Sequence, residues 1–121
     1  MKIAIVGTRN PGVSYQEWES ILISKINASE FSLVISGGSK GIDTYAKLFA
    51  VRHHIPLMEH LPEYSKYGRK ATFRRNSQIV REASIVIAFP SPDSKGTFHS
   101  IREAKRLSKQ HIVVTIPSNA S

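Results

Sequence analysis

The residues best suited to chemistry are glycines, hydroxyls and cations gathered in three short stretches. Gly7-Thr8-Arg9 follows one apolar run, Gly37-Gly38-Ser39-Lys40-Gly41 follows a second, and Ser94-Lys95-Gly96-Thr97 follows a later one. Each leads into a segment with helical patterning. Glycine lets backbone N–H groups approach a phosphate, and the N-terminus of a following helix adds free donors and partial positive charge. A tight turn explains any one of these loops equally well, but three at one sheet edge point to a phosphate-bearing nucleotide or a nucleotide-derived ligand. None has the Walker A or GxGxxG spacing, because Gly37-Gly38 continues as Ser-Lys-Gly. ATP hydrolysis by the P-loop route is therefore not expected.

Around the loops stand further candidates. Asp43 falls in the first turn after the glycine block, where a carboxylate either stabilises the helix start or accepts from a ribose hydroxyl. Between Lys66 and Arg81 there are six basic residues and no acid, the densest charge in the chain. Such a run is usually a solvated face. Here it surrounds Arg75-Asn76, expected to reach into the pocket, while Arg69, Lys70 and Arg74 attract a polyanion; the arginine fork suits phosphate. Arg9, after a strand-end glycine, is the next candidate for a phosphate contact. Phe89 is read as core before base-stacker. No histidine spacing suggests a metal, and His99 is the histidine nearest the site.

These loops need a scaffold that brings them to one edge. Five apolar runs, Ile3–Val6, Ser32–Ile35, Ile55–Met58, Ile85–Ala88 and Ile112–Ile116, are continuous rather than alternating, as in strands covered on both faces. Helical patterns separate them. Ser14 and Glu17 make a capping-box spacing before Trp18, Ile21, Leu22 and Ile26. Ile42, Tyr45, Ala46, Phe49 and Ala50 form a second face. Ala71 to Ala83 forms a third helix with Phe73, Val80 and Ala83 inward and Asn76 sharing that face; Thr97 to Leu107 forms a fourth with Phe98, Ile101, Ala104 and Ser108 together. The alternation predicts an α/β fold: a single Rossmann-like doubly wound domain of about five parallel strands with helices on both faces. Residues 1–117 are expected to form this domain and 118–121 a flexible end.

Composition narrows the function classes. The 121 residues carry 17 Lys and Arg against nine Asp and Glu, a formal charge of +8, which favours acidic partners such as nucleotides or nucleic acid. Cysteine is absent, which excludes disulfides, thiolate metal sites and cysteine nucleophiles. No apolar run approaches membrane-spanning length and the N-terminus lacks a signal-like stretch, so a cytoplasmic protein without membrane partners is expected.

The blocks Ile3–Arg9, Val34–Asp43, Tyr67–Ala71, Arg75-Asn76 and Lys95–Thr97, in this order across nearly the whole chain, resemble the SLOG superfamily, and more closely its small stand-alone YspA-like branch. The resemblance implies a Rossmannoid domain binding a nucleotide or an ADP-ribose-like molecule as a sensor or sequestering module, with no cofactor required. It also implies a homodimer or larger homo-oligomer. Relatives of that superfamily include the LOG phosphoribohydrolases, which cleave an N-glycosidic bond with the glutamate of Pro-Gly-Gly-x-Gly-Thr-x-x-Glu. The matching stretch here is Pro92–Ser100, and Ser100 stands where that glutamate would be. Glu103 and Asp43 are the substitute carboxylates, and Glu103 is better explained by salt bridging on a Lys-rich helix. Binding without turnover is therefore the leading expectation and LOG-like glycosidase activity the first alternative. The second is single-stranded nucleic-acid binding, as in the DprA relatives, through Lys66, Arg69, Lys70 and Arg74; it ranks below the others because few aromatics are expected at the surface.

Overall fold

The computed structural model describes residues 1–119. The chain runs β1 (Lys2–Gly7), α1 (Tyr15–Lys25), β2 (Leu33–Ser36), α2 (Ile42–Arg52), β3 (Leu57–Glu59), α3 (Tyr64–Tyr67), α4 (Ala71–Glu82), β4 (Ile85–Phe89), α5 (Lys95–Arg106) and β5 (Gln110–Val113). All five strands are parallel in the order β3-β2-β1-β4-β5. The expected five-stranded α/β sheet with helices on both faces is therefore the fold. Connections leave β1 toward β2 and return to its other side at β4, so the crevice above β1 and β4 is the topological switch point.

Strand side chains divide the core in two. Ile3, Ile5, Val34, Ile85, Ile87 and Phe89 point to one layer with Trp18 and Leu22 of α1 and Phe49 of α2. Ala4, Val6, Ile35, Val86 and Ala88 point to the other, against Ile79, Val80 and Ala83 at α4 and Ile101 and Ala104 of α5. Both faces are apolar, hence the continuous runs in the sequence. The second layer is made of Ala, Val and Ile with no aromatic ring, so α4 and α5 pack close against the sheet. That brings the start of α4 and the start of α5 to the same crevice.

Several expectations shift. Phe73 and Phe98 face outward, 49% and 37% exposed, and the inward positions of α4 are Ala71, Arg75, Asn76, Ile79 and Val80. Pocket geometry outweighs the apolar count here, because the first turn of α4 borders a polar crevice rather than the core. Ser108 is exposed and turns the chain with φ 55°, while Lys109 N–H donates to Ala104 O at 2.8 Å. This early turn starts β5 at Gln110, not Ile112. Residues 114 and 116 still donate to Ala88 O (2.9 Å) and Pro90 O (3.0 Å), so the apolar run remains bound to the sheet beyond the regular ladder. Ser118 and Asn119, expected in a flexible end, are bonded instead: Ser118 bridges Pro11, and Asn119 N–H donates to Asn10 O at 2.7 Å. The other two residues of that end lie outside the described residues. Among the described residues no helix is long and apolar enough to cross a membrane.

Candidate functional site

A pocket of about 420 Å³ opens at the switch point. It gathers Gly7, Thr8 and Arg9 from the end of β1, Gly37, Ser39 and Asp43 from the β2–α2 connection, Arg75 and Asn76 from α4, and Lys95, Gly96 and Thr97 from α5. Eleven of the fourteen expected ligand-binding positions thus converge. Gly38, Lys40 and Gly41 do not line it. Gly41 serves packing: its φ is 81°, and a Cβ there would lie 2.4 Å from Thr8 O, so only glycine lets the start of α2 press against the β1 loop.

The N-terminus of α5 is the strongest anion feature. Ser94 occupies the cap position, yet its side chain makes no bond to the helix and instead accepts from Ser91 N–H at 2.9 Å. The first-turn donors of this 12-residue helix are therefore not closed off by a side-chain cap, and Gly96 and Thr97 present them to the pocket. Ser91 Oγ is fully buried and lies 2.9 Å from each of Thr8 Oγ1, Asp93 Oδ1 and Ser94 Oγ, a hydroxyl cluster that ties the β1 loop to the β4–α5 loop.

Arg75 and Asn76 tie the other two loops. Arg75 Nη1 donates to Gly37 O at 2.8 Å, its Nε donates to Asn76 Oδ1 at 2.9 Å, and Asn76 Nδ2 donates to Gly96 O at 3.3 Å. One continuous chain of bonds thus crosses the crevice from the β2 loop to α5. The expectation that both residues reach into the pocket holds for their position, but their bonds go to loop carbonyls and to each other. Burial lowers the Arg75 pKa, the charge of Asp43 opposes that, and Arg9 adds like-charge pressure. Two guanidiniums felt by one another across a pocket favour an anion between them.

Asp43 takes neither expected role in simple form. It accepts from Ser39 N–H at 3.0 Å, folding the glycine loop back on α2. Burial raises its pKa above the ordinary carboxylate value, against the Ser39 bond and the Arg75 charge. Glu103 lies outside the pocket lining. Its carboxylate receives Arg106 Nε and Nη2 at 2.8 and 2.9 Å, and mainly that pairing depresses its pKa to about 2. Ser100 is buried and its hydroxyl donates back to Gly96 O at 3.3 Å, so the position of the LOG-type glutamate holds no acid.

Sequence reasoning missed Asn10, Thr72, Phe73 and Asp93 in the lining. Asp93 was within reach, since it adjoins Ser94-Lys95-Gly96-Thr97; Thr72 and Phe73 lie one turn before Asn76. Phe89 is core, fully buried with its ring 5.5 Å from that of Trp18.

Comparison with known proteins places these features among relatives. Residues 1–61 match the family model described as DNA recombination-mediator protein A. Gene 61 protein of Mycobacterium phage D29 is 30% identical over 112 residues, covering 87% of this chain and 89% of that protein. Two solved structures share the fold. DNA processing protein A from Helicobacter pylori, described for its single-stranded DNA binding mode, superposes with a TM-score of 0.72 at 20% identity, over 100% of this chain and 68% of that one. DprA from Streptococcus pneumoniae gives 0.71 at 19% identity, over 93% of this chain and 49% of that one.

Proposed function

We propose, from the premise that this chain belongs to the DNA recombination-mediator protein A family of the SLOG superfamily, that its loop pocket binds the phosphate of a nucleotide or nucleotide-derived ligand without turning it over. The observation that carries this is the α5 N-terminus, free of a side-chain cap and opening through Lys95, Gly96 and Thr97 onto the same pocket as Arg9, Gly37 and Ser39. Backbone donors, a helix dipole and two flexible cations meet there, the combination that neutralises a phosphate. The carboxylates lining the pocket are Asp43, committed to the Ser39 N–H, and Asp93, beside Ser91 Oγ. Ser100 stands where the glutamate of a LOG-type glycosidase would be, so binding or sequestering is favoured over N-glycosidic cleavage.

Calorimetric titration with nucleoside 5′-monophosphates and ADP-ribose, followed by chromatography of the recovered ligand, tests this. The expected result is a complex that Lys95→Ala weakens, with the ligand recovered intact. Free base in the eluate would make the protein a glycosidase; no binding of any phosphate-bearing nucleotide would end the reading.

A second reading takes the nucleotide as part of single-stranded DNA. The family, the +8 charge and the exposed Lys66, Arg69, Lys70 and Arg74 favour it. A strand held at several phosphates loses affinity with salt at a log–log slope near −0.7 for each, roughly, whereas a mononucleotide responds far less. On either reading the protein acts in the cytoplasm as a homo-oligomer; sedimentation equilibrium tests the assembly.

A further inference from the structure

The tip of the β1–α1 loop, residues 9–12, carries Arg9 and Asn10 into the loop pocket, and it is held from outside that pocket by a segment remote in sequence. The ends of the tip are fixed by neighbouring elements. Thr8 N–H donates to Phe89 O at 3.0 Å, Thr8 O accepts from Ile42 N–H at 3.0 Å, and Val13 O accepts from the Tyr45 hydroxyl at 2.7 Å. Between those points, among the described residues, two bonds reach a distant part of the chain: Asn119 N–H donates to Asn10 O and Gly12 N–H donates to Pro117 O, both at 2.7 Å. They flank the antiparallel bridge between Pro11 and Ser118.

The sequence suits this pairing. Pro11 stands opposite Ser118 at a position that exchanges no hydrogen bond, so its missing N–H costs nothing, and Pro117 contributes only its carbonyl. Glycine at 12 permits the approach, because a Cβ there would lie 2.9 Å from Pro117 O. The remote segment is itself anchored, since Ile116 is 3% exposed in the core layer of Trp18 and its N–H donates to Pro90 O. On the other side the Arg9 backbone rests on Gly41, where an added Cβ would lie 2.6 Å from Arg9 Cα. Arg9 itself is exposed, and among the described residues no carboxylate pairs with it, so the course of its backbone sets where its charge stands.

We propose that residues 117–119 are a positioning element for the pocket: a brace that holds the loop tip where Arg9 meets the phosphate bound at the start of α5. The inference rests on the phosphate reading of that pocket. Without the two bonds the tip is tethered only at Thr8 and Val13, and an arginine that must be ordered on binding contributes less to affinity.

The test is calorimetric titration of the full chain with adenosine 5′-monophosphate and with inorganic phosphate, in a double-mutant cycle between Asn119→Pro and Arg9→Ala. Asn119→Pro removes the N–H that reaches Asn10 O without changing a pocket residue, and should weaken binding roughly tenfold, the scale of one charged hydrogen bond. Asn119→Ala keeps that N–H and should stay within about twofold of the parent. Gly12→Ala attacks the same pairing from the loop side and should follow Asn119→Pro. In the Arg9→Ala background Asn119→Pro should cost no further affinity, because no guanidinium remains to be misplaced, whereas a bond that serves stability alone would not depend on Arg9. An Asn119→Pro variant that binds like the parent, or losses that simply add, would overturn the brace. If the parent binds neither probe, the phosphate reading falls, and deuterium exchange then decides the hold on the loop tip: faster exchange of the Gly12 amide in Asn119→Pro supports it, and unchanged exchange refutes it.

Discussion

Replacing Arg75 with methionine separates two roles that a buried arginine in a phosphate pocket can play. If Arg75 is chiefly a strap, methionine removes the 2.8 Å bond to Gly37 O and the 2.9 Å bond to Asn76 Oδ1 while keeping most of the packing volume. Each such bond from a charged donor contributes about 1.5–3 kcal/mol, and the relief of arginine desolvation offsets part of the sum. Asp43, already raised in pKa by burial, also loses its cationic neighbour. The net expectation is a loss of about 2–4 kcal/mol, which for a domain of this size lowers Tm by roughly 10 °C. Urea denaturation gives the first quantity and calorimetry the second. Lysine at 75 keeps the charge beside Asp43 but has no planar fork to join Gly37 O to Asn76 Oδ1, so it should recover less than half of the loss. A methionine variant within about 1 kcal/mol of the parent, or full recovery by lysine, would refute the strap and leave Arg75 as a source of charge alone.

Gly37→Ala should act on the same strap from the other side, because the added Cβ would lie 2.5 Å from Arg75 Nη1; a loss of about 1–3 kcal/mol in urea denaturation is expected, with weaker nucleotide binding. Trp18→Ala should destabilise by about 3–5 kcal/mol in the same assay without altering the affinity of the folded fraction, since the ring is fully buried on the face away from α4 and α5. Glu103 has a folded pKa depressed from 4.5 to about 2, so its contribution is present above the unfolded value and lost as pH falls toward 2. Glu103→Gln should therefore lower stability at pH 6 and flatten the fall between pH 4.5 and 2, measured by denaturation across that window.

The fold was legible because β1, β2 and β4 are apolar runs covered on both sides, and α1 and α2 keep an apolar inward stripe. Boundaries slipped where local chemistry intervened, as at Ser108, whose positive φ starts β5 early. The three loops were equally legible, since glycines followed by hydroxyls and cations at strand ends leave few other uses for the sequence. What escaped was direction. Nothing in the order of residues says that Arg75 spends its donors on Gly37 O and Asn76, or that Ser94 turns away from α5 toward Ser91. Phe73 was assigned inward because periodicity counts apolar residues and does not register that the first turn of α4 overhangs a polar crevice.

The unequal layers of the core bear on motion. On one side of the sheet Trp18, Phe49 and Phe89 interlock, while the α4–α5 layer holds only alanines, valines and isoleucines in a smaller cluster. Lifting the smaller aliphatic layer exposes less apolar surface than lifting the aromatic one, so its amides should exchange with solvent deuterons through a lower-energy opening. That layer also carries Arg75, Asn76 and the start of α5. A ligand seated there would then bridge the cheaper and the costlier halves of the molecule, and its binding would register as slowed exchange in α4 and α5 while the amides of α1 and α2 stayed as they were.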